Sequence, residues 1–495
     1  MDSPKIGRRN FIKGSASAIA LISLPNIAVG QTAGPRLEWQ QFKTTPQYAS
    51  YFNAIGSMRA NTEATSRSSW QFWINAHVNF CPHDIAYFLA WHRGYLYYFE
   101  QTLRTVSGDS SLTLPYWDYY TYPTIPSEFT DPASNNPLYV TRNGTNVYNA
   151  LDLSPFAPTV LNFQRGTTNA FETKIESAPH NPVHNLIGGV MATMQSPLDP
   201  IFFLHHGNID RLMHAWALPD GKRIPYTANP YSPSTSSPYW AGNLTYAADL
   251  MLPRYRTYHP AWISVSYANN NKPTSLPPQT QANPIKLVQA QMAPILNRPP
   301  VGEFAPAPGR AIAANRRSLG GVRNVGLADN SVSARISLPA PASRALQDTL
   351  SVASSTARQA PAGAPQSVKI VLDNIVVTGV GGRGGYFYNI YLNLPESADS
   401  TSSRQQYFLG TLGPFEVSGA AHHGSATLEF PATEILANMQ TTDFRQITVS
   451  LVRVNGENPP KGQTMRIGEI RVEISTDEPW DRSAPTPRPA SACYC

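Results

Sequence analysis

Six histidines in two sets of three constrain this chain more than any other feature. Eleven histidines occur in 495 residues, nine of them between positions 77 and 259. His77, His83 and His92 form one set, and His180, His184 and His206 the other. His180 and His184, in HNPVH, stand at i and i+4, which on a helix puts both imidazoles on one face about 6 Å apart. One such pair is as often a polar helix face as a metal site. Two triads differ, because each can supply three neutral imidazoles to one ion. A fold that uses both must bring these distant segments together.

The kind of ligand narrows the metal. Carboxylates at ligand spacing are missing, which argues against a carboxylate-bridged iron or manganese pair. Three-imidazole sites suit zinc or copper, so a dizinc hydrolase stays open at this level. Phe80, Tyr87, Phe88, Trp91, Phe202 and Phe203 would form a dry shell. Such a shell suits dioxygen chemistry and a planar phenolic guest better than hydrolysis, which needs water. Composition agrees: charged residues are 14 %, against ~25 % in an average soluble protein. The net charge is +6, of which Lys5, Arg8, Arg9 and Lys13 against Asp2 contribute +3. No basic stripe remains, so a nucleic-acid partner is not expected. The apolar stretch Ala16 to Leu24 is too short to span a bilayer, and no membrane partner is expected either.

Residues 1–30 read as an export signal. GRRNFIKGSASAIALISLP resembles a twin-arginine signal peptide, with Gly7 ahead of the paired arginines and Ala28-Val29-Gly30 as a small-residue cleavage site. That resemblance implies a periplasmic or secreted protein. Residues 31–271 read as one domain, expected to be the catalytic one because it carries nearly all the interpretable chemistry. His83–Val106 reads as a long helix from the spacing of Ile85, Phe88, Leu89, Leu96, Phe99 and Leu103, and Asp199–Trp216 as another, with Asp-Pro near its start. Residues 120–165 read as loops. Residues 272–330, dense in Pro, Ala, Gly and Arg, read as a linker. After 331 the period changes to alternation, in runs such as VKIVLDNIVV, YFYNIYLNL and QITVSLVRV, which predicts a β-sandwich over 331–475. Residues 476–495 read as a flexible tail, in which Cys493 and Cys495 form a disulfide, transfer Cu(I) to the site or have no role. The expected class is mainly α: a metal-binding helical bundle followed by an all-β sandwich.

The residues then become recognisable. HVNFCPHDIAYFLAWHRGYLYYFE, from His77 to Glu100, resembles the first copper-binding region of tyrosinases and polyphenol oxidases, the type 3 dicopper proteins. HNPVHNLIGGVMATMQSPLDPIFFLHHGNIDR, from His180 to Arg211, resembles the second, and LPYWDY at 114–119 is a further shared piece. The resemblance implies two copper ions, one on His77, His83 and His92, the other on His180, His184 and His206. It places His205 behind a ligand. Asp210 would orient an imidazole or pair with Arg93 or Arg211. Cys81, in Cys-Pro-His, would be joined to His83 by a thioether. Asn181 with Glu176, or in reserve Glu172, would hold a water that takes the phenol's proton. Met194 would limit substrate size.

The implied activity is an O2-dependent phenol oxidase that ortho-hydroxylates monophenols and oxidises o-diphenols to o-quinones. Its partners are small phenols and O2, and a homo-oligomer is compatible with the sequence. YFYNIYLNLPES and QQYFLGTLGPF resemble the C-terminal domain of latent polyphenol oxidases. That implies a lid with an aromatic plug, for which Tyr386, Phe387 and Tyr388 after VGGRGG are the candidates. Latency would end on displacement of the lid or cleavage in 272–330. The alternatives are a catechol or o-aminophenol oxidase that cannot hydroxylate, and a haemocyanin-like oxygen carrier.

Overall fold

A computed structural model describes residues 33–477, apart from 84, 134, 167–168, 218–237, 279–297, 355–360, 362, 396–403, 423–425 and 440–442. The export signal and nearly all of the tail, including Cys493 and Cys495, lie outside the described residues.

Four helices position the histidines. The Trp70–Phe80 helix starts where the Ser69 hydroxyl accepts the Gln71 N–H at 3.2 Å, and it carries His77. The next helix spans Phe88–Ser107 and carries His92; it ends at Gly108, in the left-handed conformation (φ 69°) that glycine adopts without a Cβ clash. It begins five residues later than the periodicity predicts. Pro82 disfavours helical backbone at Cys81, and Tyr87 is itself left-handed (φ 79°), so the described residues between the two helices are irregular and His83 stands on a loop. The short Asn181–Ile187 helix has Pro182 in its first turn, as suits a residue without an N–H, and stops at Gly188. Ile201–Ala217 is buried along its whole length, as the central helix of the bundle must be. The described residues of the segment 120–165 are irregular, with short 3-10 turns, as its composition predicts.

Eleven strands are described. β1 (Asn243–Ala247) and β2 (Leu250–Pro253) form a hairpin on the helical half. The others are β3 (Ala305–Ala313), β4 (Arg316–Leu327), β5 (Val332–Ser337), β6 (Ser367–Val377), β7 (Tyr386–Leu392), β8 (Phe408–Leu412), β9 (Leu428–Pro431), β10 (Gln446–Asn455) and β11 (Met465–Ser475). They build two antiparallel sheets, in the orders β5-β10-β7-β8 and β3-β4-β11-β6-β9. Ile336, Leu392 and Val449 from the first share a core with Val325, Ile370 and Ile467 from the second. The sheet region therefore begins inside the span expected to be a linker. β3 reads as irregular because APAPGRAIA is an edge strand, where proline costs no ladder hydrogen bond and most side chains face solvent.

The sheet region packs on the helical half through loops and one helix. Asn143 Nδ2 donates to the Asn458 carbonyl (2.8 Å), Asn458 Nδ2 to the Asn143 carbonyl (2.6 Å), and Asn149 Nδ2 to the Asn455 carbonyl (2.8 Å). Glu457 accepts the Thr145 N–H at 2.5 Å. The VGGRGG turn lies directly on Gly188: a Cβ on Gly384 would stand 2.5 Å from Gly188 Cα, so neither position has room for a side chain.

Candidate metal centre

Both histidine sets converge. The rings of His77, His83 and His92 lie 5.1–5.8 Å apart, and those of His180, His184 and His206 4.7–5.6 Å apart. All six are buried. Within each set the candidate ligand atoms fall within 4.8 Å of one another, with Cys81 in the first group and His205 in the second. The sets meet where His92 stacks on His206, centroids 4.0 Å apart and planes 13° apart. His205 instead stacks on His180 (5.2 Å) and turns toward Tyr119 (5.8 Å). His206 is therefore the member of the pair that faces the other triad.

The hydrogen bonds fix which nitrogen faces inward. His77 Nδ1 bonds the Met194 carbonyl (2.8 Å), His92 Nδ1 the Phe88 carbonyl (2.9 Å) and His184 Nδ1 the Met191 carbonyl (2.7 Å). His180 Nδ1 bonds Asn181 Oδ1 at 2.7 Å. Each acceptor requires the proton on Nδ1 and leaves the Nε2 lone pair for a metal. His77 Nε2 and His184 Nε2 are buried without a hydrogen-bond partner, and His180 Nε2 faces His206 Nε2 at 3.3 Å. Burial holds the imidazoles neutral, pushing His77 down to about 4 and His184 to about 3. Unpartnered, neutral, converging imidazole nitrogens fit two metal ions.

Phe88 and Phe202 supply the dry wall. Phe88 touches the rings of His83, His92, His180 and His206, and Phe202 those of His77, His92, His184 and His206. Trp91 contacts His77 and His92, while Phe203 sits one layer back, stacked on Phe99. Cys81 is a buried free thiol, its Sγ 3.7 Å from His83 Nε2 and 3.4 Å from His92 Nε2. Asp210 pairs with Arg93 (2.5 Å) and accepts from Tyr267, whereas Arg211 binds Asp118 (3.1 Å).

The two candidate glutamates part company. Glu172 accepts from the Leu89 N–H (3.3 Å), the Arg165 N–H (3.0 Å) and the Tyr239 hydroxyl (2.8 Å). It thus caps, from a distance in sequence, the start of the helix that bears His92. This use replaces the reserve reading of Glu172 as a water holder. Glu176 is buried and forms an ion pair with the Arg165 guanidinium.

The plug expectation is corrected by geometry. Tyr386 and Tyr388 fill the core between the sheets, and Phe387 packs into the helical core. The strand β7 buries its side chains on both faces, which takes all three away from the histidines. The ring at the centre is Phe415, on the Pro414–His422 helix. It stacks on His184 (4.0 Å, 11°) and stands edge-on to His83 (5.3 Å) and His180 (5.6 Å). Asn185 clasps it: Oδ1 accepts the Phe415 N–H (2.9 Å) and Nδ2 donates to Glu416 (2.7 Å). Met194 also meets this helix, its N–H bonding the Ser418 hydroxyl at 3.2 Å. Phe415 closes the run QQYFLGTLGPF, so motif resemblance reached it; nothing in the sequence separated it from aromatics that fill a sheet.

Comparison with known proteins agrees with this site. The family described as the common central domain of tyrosinase matches residues 49–159 and 130–218. Tyrosinase HcTyr1 of Hahella sp. (strain CCB-MM4) is 32% identical over 221 residues, which are 37% of this chain and 46% of that protein. Chloroplastic polyphenol oxidase B of Solanum lycopersicum is 25% identical over 332 residues, 51% of this chain and 55% of that one. The chain thus spans about half the length of these relatives. Among solved structures, a latent aurone synthase (polyphenol oxidase) from natural source aligns over 90% of this chain and 91% of its own, at 18% identity and a TM-score of 0.47. The matched stretch, residues 49–218, holds both histidine triads, so this part of the chain carries the tyrosinase central domain.

Proposed function

We propose that the protein is a dicopper phenol oxidase, with one copper on His77, His83 and His92 and the other on His180, His184 and His206. The observation that carries this reading is the convergence of the two triads, with Nδ1 of His77, His92 and His184 anchored on carbonyls. Copper at these positions would supply the binding and reduction of O2. The chain's own residues do the rest. A phenol takes the place of the Phe415 ring and stacks on His184. Phe88 and Phe202 keep water out. The phenol must lose a proton whose ordinary pKa is about 10. Asn181, fixed by His180 through Oδ1, turns its amide donors away from that ring. With Glu176 it holds a water that accepts the proton, so monophenols are hydroxylated and o-diphenols oxidised to o-quinones. Met194 narrows the approach.

The sheet region, read as a sandwich, acts as a lid with Phe415 as its plug, and the enzyme is latent until the lid is displaced. Cys81 forms a thioether with His83; S–H and imidazole C–H are lost, and O2 takes the two electrons and two protons. The protein is exported by a twin-arginine route. Copper content with oxygen uptake on tyrosine and catechol, before and after detergent treatment, tests the reading. Two coppers per chain with uptake on both substrates support it. Zinc as the native metal, or no uptake with copper bound and the lid displaced, overturns it.

A further inference from the structure

We propose that Arg165 is the positioning residue for Glu176, and through it sets the balance between monophenol hydroxylation and diphenol oxidation. The inference rests on the reading of Glu176 as holder of the proton-accepting water. Arg165 engages both candidate glutamates, by different parts of itself. Its main-chain N–H binds Glu172 at 3.0 Å, and its guanidinium pairs with Glu176. Glu172 spends its carboxylate on the helix that bears His92 and on Tyr239, which leaves Glu176, of the two, for the proton-accepting water. The Glu176 side chain is 1% exposed. A carboxylate that deep is held charged and oriented only with a cation against it. Arginine suits this role, because its planar fork fixes the plane of a carboxylate and it keeps its charge at any working pH. Glu176 also lies beside the lid. The neighbouring Ser177 carbonyl accepts the Thr411 hydroxyl at 3.3 Å, so displacing the lid uncovers the segment whose geometry Arg165 maintains. Arg165 itself neither gains nor loses a proton in this role.

Main chain and side chain do different work here, so a substitution separates them. Arg165→Gln retains the N–H that holds Glu172 and removes the guanidinium that pairs with Glu176. The experiment uses the copper-loaded full chain with its lid displaced by detergent, and compares kcat/KM for tyrosine with that for the matching catechol, DOPA. The expected result is a fall in the ratio of about tenfold or more, with the rate on DOPA and the copper content kept, and partial recovery in Arg165→Lys. A second readout is the absorption of bound 4-nitrophenol in mild acid, where a smaller share should be phenolate in Arg165→Gln than in the wild type. Arg165→Met, which keeps the aliphatic stem, serves if the Gln variant folds poorly. If Glu176→Gln lowers the ratio while Arg165→Gln and Arg165→Met leave it within about twofold of the wild type, the role of Arg165 is refuted and that of Glu176 stands. If Glu176→Gln leaves the ratio unchanged, the reading of Glu176 fails and the proposal with it.

Discussion

At the scale of the residue, His77, His92, His180 and His184 are each set by the second nitrogen. His180 is the one candidate ligand among the four anchored rings whose Nδ1 acceptor is a side chain, Asn181, and not a carbonyl. Asn181→Leu should therefore have two effects. Copper affinity at the second site should fall by about 10- to 100-fold, the usual cost of removing such a partner. The ratio of tyrosine to DOPA turnover should fall with it, measured at saturating copper; an unchanged ratio removes Asn181 from the hydroxylation step. Cys81 gives a second test. The intact mass of the copper-loaded protein should be lower than its sequence mass by the two hydrogens of a C–S bond, and Cys81→Ser should restore agreement. A wild-type mass equal to the sequence mass excludes the thioether.

In the proposed reading, the element that governs access is the Pro414–His422 helix. Its Phe415 occupies the centre between the triads, and Asn185 binds it through both ends of one amide. Phe415→Ala removes the ring that fills the site while keeping the backbone N–H on Asn185. The untreated full chain should then oxidise catechol several-fold faster, read by oxygen uptake. Replacing Glu416 by Leu leaves the Asn185 amide buried without its acceptor, at a cost of about 1–3 kcal/mol to the docked lid. That variant should need less detergent for half-maximal activation. The position of this helix also shows why the sequence points to the wrong plug. Strand alternation marks Tyr386–Leu392 as a sheet segment, but burial on both faces of β7 depends on what packs there.

On the scale of the whole molecule, the two halves are held by hydrogen bonds and close backbone approach as well as by the connecting chain. Asn143 with Asn458, Glu457 with Thr145, and Gly385 N–H to the Asn185 carbonyl (2.7 Å) all cross between them. Displacing the lid, and not only cutting the connection, should be what restores activity. A chain ending near residue 277 should turn over catechol faster than the untreated full chain, and equal rates would contradict latency. Metal removal belongs at this scale too. Without copper, buried imidazole nitrogens such as His77 Nε2 and His184 Nε2 have no partner. Chelation should lower the thermal unfolding midpoint, and copper should restore it by binding the folded state alone. No helix among the described residues is long and apolar enough to cross a membrane.

The order and spacing of residues by themselves marked two sets of three imidazoles, and the motifs around them carried the resemblance that implies copper. The gaps from His83 to His92 and from His180 to His206 are legible as motif spacings, and most of the two long helices is legible from the apolar period. Strand alternation marked the sheets. The tertiary structure decided whatever depends on contacts between distant segments. Main-chain carbonyls of Phe88, Met191 and Met194 choose the imidazole tautomers; Glu172 caps a helix far from it in sequence; Arg165 takes up Glu176; Phe415 reaches the triads from the other half of the chain. Each is a long-range pairing without a period, and burial, hydrogen-bond saturation and charge neutralisation select it only once the chain is packed.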